Sequence, residues 1–424
     1  MNIRLYNARI LTMKDNEEIF LGEIHVKNDK ISYIGSGEDS TESNFDREID
    51  CERNLLMPGF KNAHTHSGMS FLRSIADDLP LDKWLNEIIF PYEAKLTEND
   101  IYELSKLSVL EYLSSGITAC FDMYLTPDSI ARSMEDMGFR CVQTGAMNNF
   151  SQSIEIIEKS YIEINRDYKL QSYIPGFHAE YTTSYENMKA ISELALKYES
   201  PIFCHLGETK AEVEGCIERY NKTPLKLLDD LGMFNFGGGI YHGIYMTDED
   251  LEIMKKRKLY EITCPGSNLK LASGIAPIKK YLDNGICVAI GTDGPASNNC
   301  LDMFREMFLV SGLSKYLNKD ASSMDAGEIL KMATVNGALC MNLKDCDVLD
   351  VSKKADIIMI DLKRPNMQPI NNIVKNLVYS GSKENIKMTM INGNILYENG
   401  CFLTNETAES IYDKTEEIKK RIVG

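Results

Sequence analysis

The sequence contains no run of 18 apolar residues, and the segment that starts at Met1 has no apolar stretch of signal-peptide length. We therefore expect neither a transmembrane helix nor a secretion signal. The 11 cysteines include no C-x-x-C pair, and an odd number of thiols without a secretion signal is typical of a reducing compartment. These absences predict a cytoplasmic protein.

Positive charge is also scarce, since 46 basic residues face 63 acidic ones and give a net charge of −17. A chain of this balance without a basic stripe is unsuited to nucleic acid or to an anionic membrane surface. Its 43% hydrophobic and 26% charged residues are ordinary for a globular protein. We expect a small-molecule substrate and neither a nucleic-acid nor a membrane partner.

Several catalytic motifs are missing. There is no H-E-x-x-H helix, no G-x-x-x-x-G-K-[ST] phosphate loop and no G-x-S-x-G elbow. His178-Ala179-Glu180 matches the H-x-E of the cytidine-type zinc deaminases, but the P-C-x-x-C that supplies their thiolate ligands is absent. A carbamylated lysine bridging two metals would need a lysine at the end of the fourth strand. Because His178 stands there, we expect one metal rather than two.

Short apolar runs alternate with helical patterns through the middle of the chain, which is typical of parallel βαβ units. Eight such runs have the number and spacing of an α/β fold of the (β/α)8 TIM-barrel type, predicted over residues 57–347. A doubly wound sheet is the weaker alternative. The runs are 55–66, 117–124, 140–147, 172–179, 201–206, 238–242, 260–264 and 286–293.

The two ends of the chain show short strands and turns instead. Residues 1–56 contain no helix-length pattern, and apolar strand patterns return around Ile357 and Met388. Asn392-Gly393 between two apolar runs is a strong hairpin signal. We predict a small β-sandwich domain built from residues 1–56 and 348–424, with an amphipathic terminal helix over residues 406–422.

Five of the six histidines fall at the carboxyl ends of predicted strands, where TIM barrels place their chemistry. His64 and His66 are two residues apart on the first strand, so they point to the same side. With His205, His242 and Asp293 they bring three or four imidazoles and one carboxylate to one rim. These donors suit Zn²⁺, with Fe²⁺ as the alternative. Three nitrogens and one carboxylate leave a position for water, as catalytic metal sites do.

Two carboxylates among these donors can move protons. A metal lowers the pKa of its bound water towards neutrality and makes hydroxide available. Asp293 can accept the proton of that water, and Glu208, three residues after His205, can carry a proton to a leaving group. The pattern therefore predicts hydrolysis. A barrel that binds metal and ligand without turnover, as a sensor or storage protein, is the alternative from another class.

Residues 57–66, with the sequence MPGFKNAHTH, resemble the first-strand motif of the amidohydrolase superfamily. Further segments are similar to those of 5′-methylthioadenosine/S-adenosylhomocysteine deaminases. They are residues 72–73, 76–81, 84–85, 91–94, 205–209, 267–277, 291–299 and 353–358. The resemblance extends over nearly the whole chain.

This resemblance implies a metal-dependent hydrolase that acts on non-peptide carbon–nitrogen bonds of a cyclic amidine. The implied metal ligands are His64, His66, His205 and Asp293. His242 is implied to lie beside the metal-bound water and the attacked carbon. Glu208 is implied to protonate the ring nitrogen and then the departing ammonia.

The resemblance also implies the substrate. A metal-bound hydroxide would convert an adenosine-type nucleoside to the inosine-type product and ammonia. The candidates are 5′-methylthioadenosine, 5′-deoxyadenosine, adenosine and S-adenosylhomocysteine. Trp84, Glu93 and His178 are implied to face the nucleoside, with the Glu93 carboxylate suited to the ribose diol. Similar proteins are commonly oligomers, so we expect a homo-oligomer.

The chain departs from this pattern at the pocket. Family members that take S-adenosylhomocysteine can carry arginines near the third strand that hold the amino-acid carboxylate. This chain has Gly145 at one such position and no further arginine until Arg166, so a smaller 5′ group or plain adenosine is expected. Glu180 stands where proline is more usual, and Thr263 where histidine is expected. Guanine, a pterin or an amino- or chlorotriazine are the alternative rings, since the same attack serves them all.

Overall fold

The computed structural model describes residues 1–38, 44–75, 77–79 and 83–424. Three residues of the segment 76–81, namely Ala76, Pro80 and Leu81, lie outside the described residues. The strands in chain order are β1 Asn2–Ile10, β2 Phe20–Lys27, β3 Lys30–Gly35, β4 Arg47–Asp50, β5 Leu55–Pro58, β6 Phe60–Thr65, β7 Ile117–Met123, β8 Arg140–Thr144, β9 Gln171–Ile174, β10 Gly176–Ala179, β11 Ile202–Leu206, β12 Gly238–His242, β13 Tyr260–Thr263, β14 Cys287–Ile290, β15 Ile357–Ile360, β16 Ile386–Ile391, β17 Asn394–Glu398 and β18 Cys401–Phe402.

Helices connect most barrel strands. The α-helices are Phe90–Glu93, Glu98–Ser114, Pro127–Asp136, Ile154–Asp167, Tyr185–Tyr198, Lys210–Tyr220, Pro224–Asp230, Asp248–Arg257, Pro265–Lys270, Ile278–Asp283, Pro295–Asn298, Met303–Asn318, Ala326–Met332, Val335–Cys340, Ile373–Tyr379 and Ala408–Val423. A π-helix spans Trp84–Ile89, and short 3-10 helices span Ser67–Leu72, Glu180–Thr182, Pro365–Met367 and Lys383–Asn385. Among the helices of the described ranges, none is long and apolar enough to cross a membrane.

Two parallel sheets, in the orders β6-β7-β8-β9 and β10-β11-β12-β13-β14, form the barrel. They meet at a parallel bridge between Met147 and Phe177. On the other side, the N–H of Asp293 donates to the carbonyl oxygen of His64 at 2.9 Å. Every residue of β7 and β8 is buried, as expected for parallel strands covered on both faces. The predicted (β/α)8 fold is confirmed.

Two of the eight predicted strands are divided. In the run 55–66, β5 pairs with β1 and β15 in the terminal sheet, and the barrel strand begins at Phe60. The fourth run is interrupted at Pro175, between β9 and β10, because proline has no N–H for the ladder. The division into residues 1–56, 57–347 and 348–424 stays a prediction.

Strands from both ends of the chain pair in one sheet, in the order β18-β17-β16-β15-β5-β1-β2-β3, with β4 beside β1. Asn392 and Gly393 turn the hairpin between β16 and β17 with φ values of 51° and 76°, the left-handed region that a two-residue turn requires. The terminal helix Ala408–Val423 packs on the helix Glu98–Ser114. The predicted β-rich domain built from the two termini is confirmed.

A buried ion pair joins the barrel to this sheet. Arg140, at the start of β8, donates from Nε to Oδ2 of Asp356 at 2.7 Å and from Nη2 to Oδ1 at 3.0 Å. Burial alone would raise the pKa of Asp356, but the guanidinium outweighs it and holds that pKa below its ordinary value. The same carboxylate accepts the N–H of Asn392 at 2.8 Å. One carboxylate therefore ties a barrel strand to the hairpin turn of the terminal sheet.

We predict that Asp356→Ala destabilises the fold strongly, because it leaves the Arg140 guanidinium buried without its partner. The expected loss is about 3–5 kcal/mol in the free energy of unfolding, measured by urea titration. The control is Arg166→Ala, which removes an exposed pair with Asp167 and is expected to change that energy by less than about 0.5 kcal/mol. Equal losses in the two variants would contradict the prediction.

Candidate functional site

Strand ends bring four imidazoles and one carboxylate together. His64 and His66 come from β6 and the residue that follows it, His205 from β11 and His242 from β12, while Asp293 follows β14. The ring centroids of His64 and His205 are 4.9 Å apart, and those of His205 and His242 are 5.5 Å apart. Oδ1 of Asp293 lies 3.1 Å from Nε2 of His66 and 3.6 Å from Nε2 of His64. The four predicted metal ligands and the predicted catalytic residue His242 form one buried cluster.

Neighbouring groups orient three of the rings. Nδ1 of His66 hydrogen-bonds to the carbonyl oxygen of Met123, and Nδ1 of His205 to that of His178 at 2.8 Å. Nδ1 of His242 pairs with Oδ1 of Asn268 at 2.8 Å. Each contact leaves Nε2 to face the cluster, the arrangement that metal-binding histidines use. Sequence reasoning did not single out Asn268, although it lies within the segment 267–277 that carries the family resemblance.

His64 differs from the other three histidines. Its ring stacks on Tyr241 with centroids 3.8 Å apart. Within the described chain neither of its ring nitrogens has a hydrogen-bond partner, although the side chain is fully buried. Buried polar atoms are nearly always satisfied, so His64 calls for a partner that is not a protein group.

The charges of the cluster suit a cation. Burial lowers the pKa values of His64 and His205 well below the ordinary value, which keeps both rings neutral. Burial would raise the pKa of Asp293, but the hydrogen bond and charge of His66 lead the opposing contributions and lower it well below its ordinary value. Burial also acts to lower the pKa of His66, but the hydrogen bond and charge of Asp293 outweigh it and raise that pKa to about 9. His66 therefore holds a proton that a bound cation would replace.

The donor set fits a divalent metal. Ligand atoms of His64, His66 and Asp293 lie within 4.8 Å of one another, as do those of His64, His205 and His242. Neutral imidazole and carboxylate are ligands for Zn²⁺ and Fe²⁺. Together with the unpartnered nitrogens of His64, this geometry makes the cluster a candidate metal centre.

A second buried group, Cys120, Asp122 and Cys141, also has donors within 4.8 Å of one another. Burial raises the pKa values of both thiols, so they stay protonated, whereas the thiolate is the form that binds metal. This group is therefore the weaker candidate and a useful control.

One carboxylate, Glu208, lies beside the cluster, and a second one, Glu212, holds its backbone. Oε2 of Glu208 lies 3.9 Å from Nε2 of His242, and Oε1 accepts a hydrogen bond from Ser273 at 3.3 Å. Glu212 accepts the backbone N–H groups of Gly207 at 2.8 Å and of Glu208 at 2.9 Å. Glu212 thereby fixes the backbone that carries Glu208. Sequence reasoning missed it, although Glu212 stands three residues after Thr209, the spacing of a helix capping box.

A cavity of about 540 Å³ opens above the cluster, and the predicted substrate residues Trp84, Glu93 and His178 all line it. Within the described chain the Trp84 indole N–H and Oε1 of Glu93 have no hydrogen-bond partner. Burial raises the pKa of Glu93 to about 7 and lowers that of His178 to about 4. The cavity wall thus combines an aromatic residue, a carboxylate and an imidazole.

Two of the three departures from the family pattern, Gly145 and Glu180, have structural explanations. At Gly145 a Cβ atom would lie 2.6 Å from the carbonyl oxygen of Gly176, so this backbone has no room for an arginine there. Glu180 is buried and accepts a hydrogen bond from Arg219 at 2.5 Å. Thr263 is buried, and its carbonyl oxygen accepts the N–H of Gly291 at 2.9 Å. Neither Glu180 nor Thr263 is among the residues that line the cavity.

A parallel (β/α)8 barrel with histidine and carboxylate donors at its strand ends is the architecture of a metal-dependent hydrolase. The model of the Amidohydrolase family matches residues 55–396. The chain therefore belongs to the Amidohydrolase family.

Similar proteins carry related activities in their names. A 5-methylthioadenosine/S-adenosylhomocysteine deaminase of Thermoanaerobacter pseudethanolicus is 38% identical, with 100% of both chains covered. A 5′-deoxyadenosine deaminase of Methanobrevibacter smithii is 36% identical, with 99% of this chain and 98% of that protein covered. The crystal structure of an adenosine deaminase from Xanthomonas campestris with bound zinc is 28% identical. It has a TM-score of 0.94, with 100% of this chain and 98% of that chain covered.

We predict that substitution of a metal ligand lowers the amount of bound metal, whereas substitution of a neighbouring residue does not. His205→Ala is expected to lower the bound metal, measured by mass spectrometry of the purified protein, to well under one equivalent per chain. His242→Ala is expected to keep it. Cys141→Ser, from the second buried group, is the matched control and should also keep it. Loss of metal in His242→Ala, or in the control alone, would contradict the assignment.

Proposed function

We propose that this protein is a hydrolytic deaminase that converts an adenosine-type nucleoside to the inosine-type product and ammonia. The observation that carries the proposal is the position of Glu208, a carboxylate 3.9 Å from His242, at the junction of the buried cluster and a nucleoside-sized cavity. Binding alone needs no proton carrier at that place. The names of the two relatives and of the zinc-containing structure support the same reaction.

The proposed metal ligands are His64, His66, His205 and Asp293. The bound zinc of the similar adenosine deaminase supports Zn²⁺, and Fe²⁺ is the alternative. When bound, the metal supplies a water whose pKa is lowered towards neutrality.

The side chains around the cluster carry the protons. Asp293 accepts the proton that the attacking water loses, while Ser267 and Ser297 hold its Oδ2 at 2.6 and 2.9 Å. Glu208 donates a proton to the ring nitrogen next to the attacked carbon, takes up the proton that the new hydroxyl group loses as the carbonyl forms, and passes it to the leaving amino group. The proton on Asp293 then returns to Glu208. The carbon–nitrogen bond breaks and ammonia departs. His242, fixed by Asn268, orients the water.

The cavity wall binds the nucleoside. Trp84 packs against the purine. The Glu93 carboxylate accepts a ribose hydroxyl, and His178 contacts the substrate from the end of β10. The position of all three residues in the cavity wall supports these roles.

The 5′ substituent is proposed to be uncharged. Among the described residues that line the cavity, none is a lysine or an arginine. A homocysteine carboxylate would enter without a cationic partner and lose hydration. We therefore place 5′-methylthioadenosine, 5′-deoxyadenosine and adenosine ahead of S-adenosylhomocysteine.

The predictions of a homo-oligomer and of a cytoplasmic location stay predictions. The free state of all 11 cysteines in the described chain supports the second.

We predict that Glu208→Gln lowers kcat for ammonia release from 5′-methylthioadenosine by about 10²- to 10⁴-fold, because the amide cannot donate the proton. KM should change little. The control is Glu214→Gln, an exposed carboxylate on the same helix that carries Glu212, and it should keep full activity. Near-normal turnover in Glu208→Gln would remove Glu208 from the proton transfer.

A panel of zinc-loaded assays tests the substrate class. We expect kcat/KM for S-adenosylhomocysteine to fall about ten-fold or more below that for 5′-methylthioadenosine, because its carboxylate finds no partner. Guanine and a pterin should release no ammonia. Efficient turnover of S-adenosylhomocysteine would contradict the uncharged 5′ group and leave the reaction standing. Turnover of guanine alone would show that the ring is wrong.

A further inference from the structure

An unusually exposed aromatic ring stands at the mouth of the cavity. Phe150 is 86% exposed, yet it lines the same cavity as Trp84 and Glu208. It lies between β8 and the helix Ile154–Asp167, at the carboxyl end of the barrel strands. Exposed apolar area of this size costs free energy in water, so the position calls for an explanation.

The loop holds Phe150 in place. Oδ1 of Asn148 accepts the N–H groups of Phe150 at 2.7 Å and of Ser151 at 2.9 Å. Gln152 accepts the N–H of Ala146 at 2.9 Å and donates to the carbonyl oxygen of Tyr124 at 3.2 Å. These contacts fix the backbone of the loop and leave the ring over the cavity opening.

The chemistry orients the substrate relative to Phe150. The attacked carbon of an adenine must lie at the buried cluster, and the ribose is attached on the far side of the purine. The 5′ position therefore points to the open end of the cavity. Trp84, only 5% exposed, lies deep in the wall, whereas Phe90 at 41% and Phe150 at 86% lie at the opening.

We infer that Phe150 determines specificity at the 5′ position by packing its ring on an apolar, sulfur-bearing 5′ substituent. The inference rests on the proposed function. Sulfur–aromatic contacts are favourable, and a 5′-methylthio group would remove apolar surface of the ring from water. A 5′-hydroxyl gains little from the same contact.

The test compares Phe150→Ala with the wild type in ammonia release from 5′-methylthioadenosine, 5′-deoxyadenosine and adenosine. We expect kcat/KM for 5′-methylthioadenosine to fall about ten-fold, mainly through KM, and that for adenosine less than about two-fold. Phe150→Tyr keeps the ring and should restore the wild-type preference. Phe308→Ala removes a 54%-exposed ring outside the cavity and is the matched control. Metal content and the thermal midpoint should equal those of the wild type in all three variants.

The outcomes separate the two proposals. If the wild type deaminates the adenosines but Phe150→Ala affects all three equally or none, the specificity inference is wrong and the proposed function stands. A wild type that prefers adenosine over 5′-methylthioadenosine also overturns the inference. If the wild type releases no ammonia from any adenosine, the proposed function fails and the inference fails with it.

Discussion

The burial of the imidazoles around His64 is the constraint on which the rest of the site depends. His64 is fully buried beside three other imidazoles and Asp293, and within the described chain its two ring nitrogens have no hydrogen-bond partner. Removing such polar atoms from water is costly unless another group binds them. In the function proposed here, a divalent cation binds one ring nitrogen of His64 and balances the Asp293 carboxylate. Such a cation would account for the burial of the cluster as well as for the chemistry.

Two residues of the cluster also have an unfavourable backbone conformation. His242 and Asp293 have φ values of 79° and 62°, a region that non-glycine residues seldom occupy and that costs free energy. Asp293 uses the same peptide to donate its N–H to the carbonyl oxygen of His64, which joins the first and last barrel strands. The same backbone hydrogen bond therefore closes the barrel and brings Asp293 next to His64. The contacts between the strand ends offset the free-energy cost of the backbone conformation at these two residues.

The sequence predicts the barrel well because parallel strands buried on both faces are continuous apolar runs. Histidines and an aspartate mark where several of these runs end. Pairing between distant segments cannot be predicted from such local patterns. The run 55–66 begins with apolar residues on both sides of Pro58 and Gly59, so no local pattern shows that Leu55–Pro58 joins the terminal sheet. Arg140 and Asp356 are 216 residues apart, and their pairing exists only in the folded chain. Phe150 lies in a polar loop, where no periodicity indicates that its ring stands over a cavity.

The residues proposed for catalysis and those that shape the substrate pocket lie in different parts of the barrel. The proposed metal ligands and Glu208 lie at strand ends or directly after them, where strand pairing fixes their positions. The departures from the family pattern lie mainly in the connections that follow β8 and β10. There Glu180, held by Arg219, begins the 3-10 helix whose Thr182 hydrogen-bonds to Nδ1 of His178 at 2.9 Å. An ion pair between the buried Glu180 carboxylate and the exposed Arg219 thus supports a cavity wall, although neither residue lines the cavity. Substitutions in such loops change the ligand that fits while leaving the cluster intact, which explains why one reaction can serve many rings.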